Sequence, residues 1–88
     1  MSTTDTIAAV LIDYLQSALG SLGPIDAETD LLDSGRLDSL SVMDLVCFLE
    51  VRFQIRMQPA DVNPGNLRSV RRLTHYVQTR LRGVADAA

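Results

Sequence analysis

Apolar residues recur at every third or fourth position along three separate stretches of this sequence, and a chain so patterned is committed to packing helices against one another. Over residues 4–19, Ile7, Val10, Leu11, Tyr14, Ala18 and Leu19 follow helical spacing, after a capping-box-like start at Ser2-Thr3-Thr4-Asp5. Gly20 and then Gly23-Pro24 end that stretch. A second helix is expected from Asp38 to about Phe53. Asp38 is its N-cap, the carboxylate accepting from first-turn amides, and Ser39 is its first helical residue. The third stretch has Ser69 as cap and Val70, Leu73, Val77 and Leu81 on one face. Arg80 and Arg82 favour the dipole of its last turn, and Gly83 is its expected stop.

The connections are informative too. Residues 20–38 alternate Leu22, Ile25, Leu31, Leu32 and Leu37 with Asp26, Glu28, Asp30, Asp33 and Asp38, the pattern of a loop that packs its apolar members down and turns its acids outward. A loop this long in a compact domain usually has a function. Residues 54–62 read as extended loop, and Asn63-Pro64 as a cap and first residue of one short turn of helix. The expectation is an all-α, four-helix bundle: three main helices, a short third one and a long first loop. It forms a single domain over residues 1–88, ordered from about 4 to 82, with a loose tail at 83–88.

With 88 residues, such a domain buries only about 60% of the surface its unfolded chain exposes and leaves no room for a deep substrate cleft. That favours a binding, carrier or adaptor role over an enzyme. The net charge is −3, from eleven acids against eight bases, all of them Arg. An acidic domain is a poor nucleic-acid binder, although Arg68, Arg71, Arg72, Arg80 and Arg82 give the last quarter a basic face. One Cys and one His assemble neither a disulfide framework nor an ordinary zinc site, so no metal is expected. Neither a signal-peptide pattern nor an apolar run of the ~20 residues that span a bilayer is present. The chain is expected to be a soluble, cytoplasmic monomer without membrane contact.

Residues 39–53 carry apolar residues on two faces. Val42, Leu45, Val46, Leu49 and Phe53 form a core stripe, whereas Leu40, Met43, Cys47 and Val51 point elsewhere, with Asp44 and Glu50 beside them. The second stripe is either peripheral core or a docking ridge for partners, beginning one residue after Ser39.

Ser39 admits three readings. Asp38-Ser39 is a common helix start and on its own means little more. As a nucleophile, Ser39 needs a base, and the only His, His75, lies on the last helix; there is also no Gly-x-Ser-x-Gly elbow. As an acceptor modified by another enzyme, it needs exposure, a rigid base and a docking surface, and a helix start whose dipole favours a phosphodiester supplies them.

The run Asp30-Leu31-Leu32 through Leu37-Asp38-Ser39-Leu40, followed by Asp44-Leu45-Val46, Leu49 and Phe53, resembles the acyl and peptidyl carrier protein family. The likeness extends over roughly residues 5–82 and includes Ile55 to Val70 as the family's second loop and short third helix. It implies a four-helix carrier-protein bundle in which Ser39 receives 4′-phosphopantetheine from coenzyme A through a phosphopantetheinyl transferase. Asp38 takes the place of the family's acid that assists the magnesium site of that transfer. Leu40, Met43, Asp44, Cys47, Glu50 and Val51 fall on the recognition helix, and Arg36 on the loop edge near the arm. The cargo would be an acyl or aminoacyl group held as a thioester on the arm, loaded by an adenylating enzyme or acyltransferase and passed to a downstream synthase. The chain itself would not be an enzyme. Ser41 and Val51 stand where carriers of fatty acid synthesis commonly show acids, and Arg52 adds a positive charge. The resemblance therefore leans towards a free-standing carrier of polyketide or nonribosomal peptide (antibiotic) biosynthesis. A helical interaction module without covalent chemistry, using the same ridge, is the alternative.

Overall fold

The computed structural model describes residues 3–19, 23–33, 35 and 37–87, except for the side chains of residues 19 and 83–87. Among these residues four α-helices follow in order: α1 (Thr3–Leu19), α2 (Ser39–Phe53), α3 (Pro64–Leu67) and α4 (Val70–Ala87), with a 3₁₀ turn at Pro59–Asp61 between α2 and α3. No strand occurs among the described residues. The two outer helices of the sequence, α1 and α4, pack closely along their length, and α2 and α3 close over α4 with fewer close backbone approaches.

The α1 stripe is Ile7, Leu11 and Leu15, all buried. Its three- to four-residue period matches the expected face at Ile7 and Leu11. Further along, Leu15 takes the core position and Ala18 is exposed, because a small side chain one turn later does not reach across. Leu45 and Leu49 of α2 and Val70, Leu73 and Val77 of α4 are fully buried against them, and Leu81 lies at the edge of this core. Burying a residue of this size stabilises by about 1.5–3 kcal/mol, so the stripes account for the helices that nucleation alone would not sustain.

The helix ends follow expectation at α2 and depart from it at α4. Gln54 closes α2 in the left-handed region (φ 54°), its side-chain amide donating to the Val51 carbonyl at 2.7 Å. No glycine marks that stop, yet it falls where the second helix was expected to end, at about Phe53. Gly83, the expected stop of α4, lies inside the helix, which runs on to Ala87. The alanines that follow are strong helix formers, and one interior glycine costs only about 1 kcal/mol. The stretch expected to be extended after Phe53 contains the 3₁₀ turn instead: Pro59 fixes its first residue, and Gln58 and Asp61 cap each other's backbones.

The long loop is anchored as its pattern predicts. Ile25, Leu31 and Leu37 are buried, while Asp26, Glu28 and Asp33 are exposed; Leu22 lies outside the described residues. Two backbone bonds tie it to the start of α4, Leu31 N to Arg68 O (2.7 Å) and Arg71 N to Ala27 O (3.0 Å). Gln16 of α1 holds its beginning, accepting from Ile25 N at 2.8 Å and donating to Gly23 O at 3.4 Å. Gly35 turns the chain at φ 78°, a conformation that side-chain-bearing residues rarely adopt.

Candidate functional site

The site is built from the end of this loop. Leu37 is buried and its amide donates to the Leu31 carbonyl at 3.0 Å, so the two residues after it leave the core at a fixed point. Asp38 is extended (φ −108°, ψ −175°), and its Oδ1 accepts from the Ser41 amide at 2.8 Å, the side-chain cap of α2. Its backbone carbonyl accepts the first helical bond, from Val42 N at 2.9 Å. The Ser41 amide, with the Ser41 hydroxyl and the Leu40 amide adding to it, holds the Asp38 carboxyl below its ordinary value, so it is ionised throughout the neutral range. Ser39 follows as the first residue of α2, exposed.

Beside Ser39 runs an open groove of about 480 Å³ between α2 and α3, with Leu32, Leu37, Val42, Val62, Pro64 and Leu67 as its apolar walls and Asn63 among them. Its far wall is braced by a network of polar contacts. Asn63 caps α3 by accepting from Asn66 N (3.0 Å) and donates to Ala60 O (2.8 Å). Asn66 donates to Asp61 O (2.8 Å), and the Tyr76 hydroxyl of α4 donates to Asp61 Oδ2 (2.8 Å). Burial and the Asp61 carboxylate push Tyr76 up to about 12. Sequence reasoning named the Asn63 cap but not the groove; the signal available was the apolar set of the first loop facing Val62, Pro64 and Leu67 across Ser39.

The second stripe of α2 is a surface, not peripheral core. Leu40, Met43 and Val51 are 79%, 61% and 72% exposed, and Cys47 and Asp44 are exposed with them. Glu50 is set differently from the rest: half-buried, it accepts from the Met57 amide at 2.9 Å and so ties the following loop to α2. Arg36, the loop-edge candidate, lies outside the described residues. His75 is exposed on α4, lining clefts with Arg71 that share no residue with the Ser39 groove. Among the described residues no group of three or more His, Cys, Asp and Glu side chains is placed to hold a metal ion, and no helix is long and apolar enough to cross a membrane.

Chemically, this is an exposed hydroxyl at a capped helix start. A large group attached there meets open solvent on one side and an apolar groove on the other. The amides of the first turn favour a phosphodiester at that position, with the Asp38 carboxylate as an opposing charge beside it. The residues present therefore fit a bulky phosphate-linked group.

Comparison with known proteins adds two findings. A family model described as a phosphopantetheine attachment site matches residues 9–77. The crystal structure of an acyl carrier protein from Thermotoga maritima is similar with a TM-score of 0.70 at 26% identity, over 92% of this chain and 93% of that one. No curated protein matches the chain significantly.

Proposed function

Because the chain belongs to the phosphopantetheine attachment-site family, an acyl-carrier-protein-like domain bearing covalent 4′-phosphopantetheine, we propose that Ser39 is the attachment residue and that the cargo is an acyl or aminoacyl group. The observation that carries this reading is the placement of Ser39, an exposed hydroxyl at the capped start of α2 and on the rim of the apolar groove. When bound, the group supplies a terminal thiol on which cargo is carried as a thioester. The chain's own residues present and orient. Asp38 fixes the first turn and keeps a carboxylate one residue from the hydroxyl, placed to assist the metal site of a phosphopantetheinyl transferase. The groove walls give the arm an apolar resting surface, and Leu40, Met43, Asp44, Cys47 and Val51 form the face on which partners dock.

The family acts with transferases and biosynthetic enzymes in general; the composition of α2 narrows the kind. Of its two acids, Glu50 is engaged with Met57, which leaves Asp44 as the exposed carboxylate among three exposed apolar side chains. A partner steered by a row of acids has little to read here, and one with an apolar docking groove has much. This supports a dedicated synthase of polyketide or nonribosomal peptide type, loaded by an adenylating enzyme or acyltransferase.

The test is an intact-mass spectrum before and after incubation with coenzyme A, magnesium and a promiscuous phosphopantetheinyl transferase. A gain of one phosphopantetheine, absent in Ser39→Ala, is expected. A folded sample that gains no mass would transfer the argument to the exposed ridge alone and to a non-covalent interaction module.

A further inference from the structure

The exposed face of α4 is opposite in character to the ridge on α2. From Arg68 to Arg82 the chain holds five of its eight bases and none of its eleven acids. Helical spacing puts Arg71, Arg72, His75, Thr79 and Arg82 away from the buried Val70, Leu73 and Val77, and all five are exposed. Arg71 and Arg72 are the second and third residues of α4, at the positive end of its dipole, where folding alone favours an acid. Glu28 of the first loop answers Arg71. Among the described residues Arg72, His75 and Arg82 have no ion pair. The fold thus keeps cations where they oppose its own stability. Beside the stripe the surface is indented. A cleft of about 230 Å³ is walled by Arg71, Arg72 and His75. A second, of about 430 Å³, continues from Arg71 and His75 to the start of α1, with Ala8, Ala27 and Val70 as its apolar lining and Thr74 in its floor. Thr74 is 4% exposed, and among the described residues its Oγ1 has no hydrogen-bond partner. Asp5 lines the α1 lip, so an incoming anion is directed to the Arg72 side.

We propose that this face of α4 is a second docking surface, taken by an acidic amphipathic segment of a partner protein. Carboxylates of the segment meet Arg72, Arg82 and the His75 ring, while an apolar side chain enters the cleft at Ala8 and Ala27. Charge complementarity names the occupant. A nucleic acid or an anionic lipid surface spreads phosphate over a wide area and meets the acids of a chain whose net charge is −3; a short segment addresses the stripe alone. From Arg71 to Arg82 the stripe runs about 16 Å, three turns of helix, which a segment of about twelve residues covers. Neither cleft shares a residue with the groove at Ser39. A segment held here leaves Ser39 uncovered, and the proposal stands whether or not that hydroxyl carries an arm.

The probe is a labelled synthetic peptide of about twelve residues with Glu at helical spacing on one face and Leu beside it. Its control has Gln in place of every Glu. Fluorescence anisotropy should show the Glu peptide binding at least about fivefold more tightly than the Gln peptide, and amide shifts should map to Ala8, Arg71, Thr74 and His75. Arg72→Glu should weaken binding about fivefold or more, whereas Arg56→Glu, the same change of charge outside the stripe, should leave it within about twofold. Ala8→Leu fills the cleft without altering charge, and a loss of about threefold there separates seating from loose ionic attraction. If that variant does not fold, Ala8→Val takes its place. Equal affinity for the two peptides, shifts centred on α2, or a folded Ala8 variant that binds as tightly as the unaltered protein would overturn the proposal. Dimerisation in sedimentation that Arg72→Glu abolishes would overturn it too, giving the face to a second copy. So would equally tight binding of a short DNA duplex or of phosphatidylglycerol vesicles, which would make the stripe a general anion surface.

Discussion

Asp38 and Tyr76 are two residues whose protonation the fold depends on, at opposite ends of the pH scale. The carboxyl of Asp38 is held below its ordinary value in the native state, chiefly by the Ser41 amide, so the unfolded chain binds its proton first as pH falls. Its contribution is therefore complete above the unfolded value of about 3.9 and is lost as pH drops through the lower native one. Asp38→Asn should keep the cap while removing that dependence, and Asp38→Ala should lower Tm at pH 7 by several degrees; melting curves from pH 7 to pH 2.5 separate the three proteins. Tyr76 works in the other direction. Its native value of about 12 lies above the ordinary 10.0, so its contribution is full below pH 10 and disappears between 10 and about 12. Tyr76→Phe removes a hydrogen bond to a carboxylate and should cost about 1.5–3 kcal/mol in urea unfolding at pH 7, with a shallower loss of stability above pH 10. Identical slopes in that alkaline range would count against the Asp61 contact as the cause.

At the scale of the element, α2 divides cleanly between a buried stripe and an exposed one, the second being the proposed docking face. Leu45 and Leu49 are fully buried, whereas Met43 and Val51 stand on the opposite side in solvent. Met43→Arg and Val51→Arg are accordingly expected to change stability by no more than about 0.5 kcal/mol, yet to reduce acyl transfer to the native partner enzyme about tenfold or more. Unchanged transfer in both variants would leave the ridge without a role. This division was legible beforehand because helical spacing separates the two stripes of residues 39–53 without any knowledge of neighbours. The start of α2 was legible too, since an Asp N-cap acts through bonds within four residues. What depended on three-dimensional neighbours was not. Leu15 holds the core position and Ala18 does not because only the larger side chain reaches the neighbouring helices, and the continuation of α4 through Gly83 rests on its alanine-rich tail. The groove required the first loop, α2 and α3 to be brought to one place, and no single segment carries that information.

On the scale of the whole molecule, the question is what keeps Ser39 in place, since it sits at the end of a loop of more than fifteen residues. Charge offers one answer. Arg68, between α3 and α4, pairs with Asp30 at 3.0 Å and Asp33 at 3.4 Å, and Arg71 in the first turn of α4 pairs with Glu28, so ion pairs tie the loop to the start of the last helix. All of these side chains are substantially exposed, where water and salt screen the attraction and ordering two long side chains offsets it. Burial offers the other answer. Leu31 is fully buried, bonded through its amide to Arg68 O and through its carbonyl to Leu37 N, and Leu37 is the last anchored residue before the cap. The backbone bonds between loop and α4 survive the loss of the Arg68 side chain, but they depend on Leu31 staying seated. Arg68→Ala should thus melt within a few degrees of the unaltered protein and accept phosphopantetheine at the same rate, with no added sensitivity to 0.5 M salt. Leu31→Ala should lose about 2–5 kcal/mol, a large share of the ~5–15 kcal/mol available to a domain. Because Ser39 would then be presented from a loosened loop, modification should slow even at temperatures where the helices persist by circular dichroism. If Arg68→Ala proves the more damaging of the two, the loop is held by charge, and the fixed position of Ser39 would have to be traced to surface ion pairs instead of to the core.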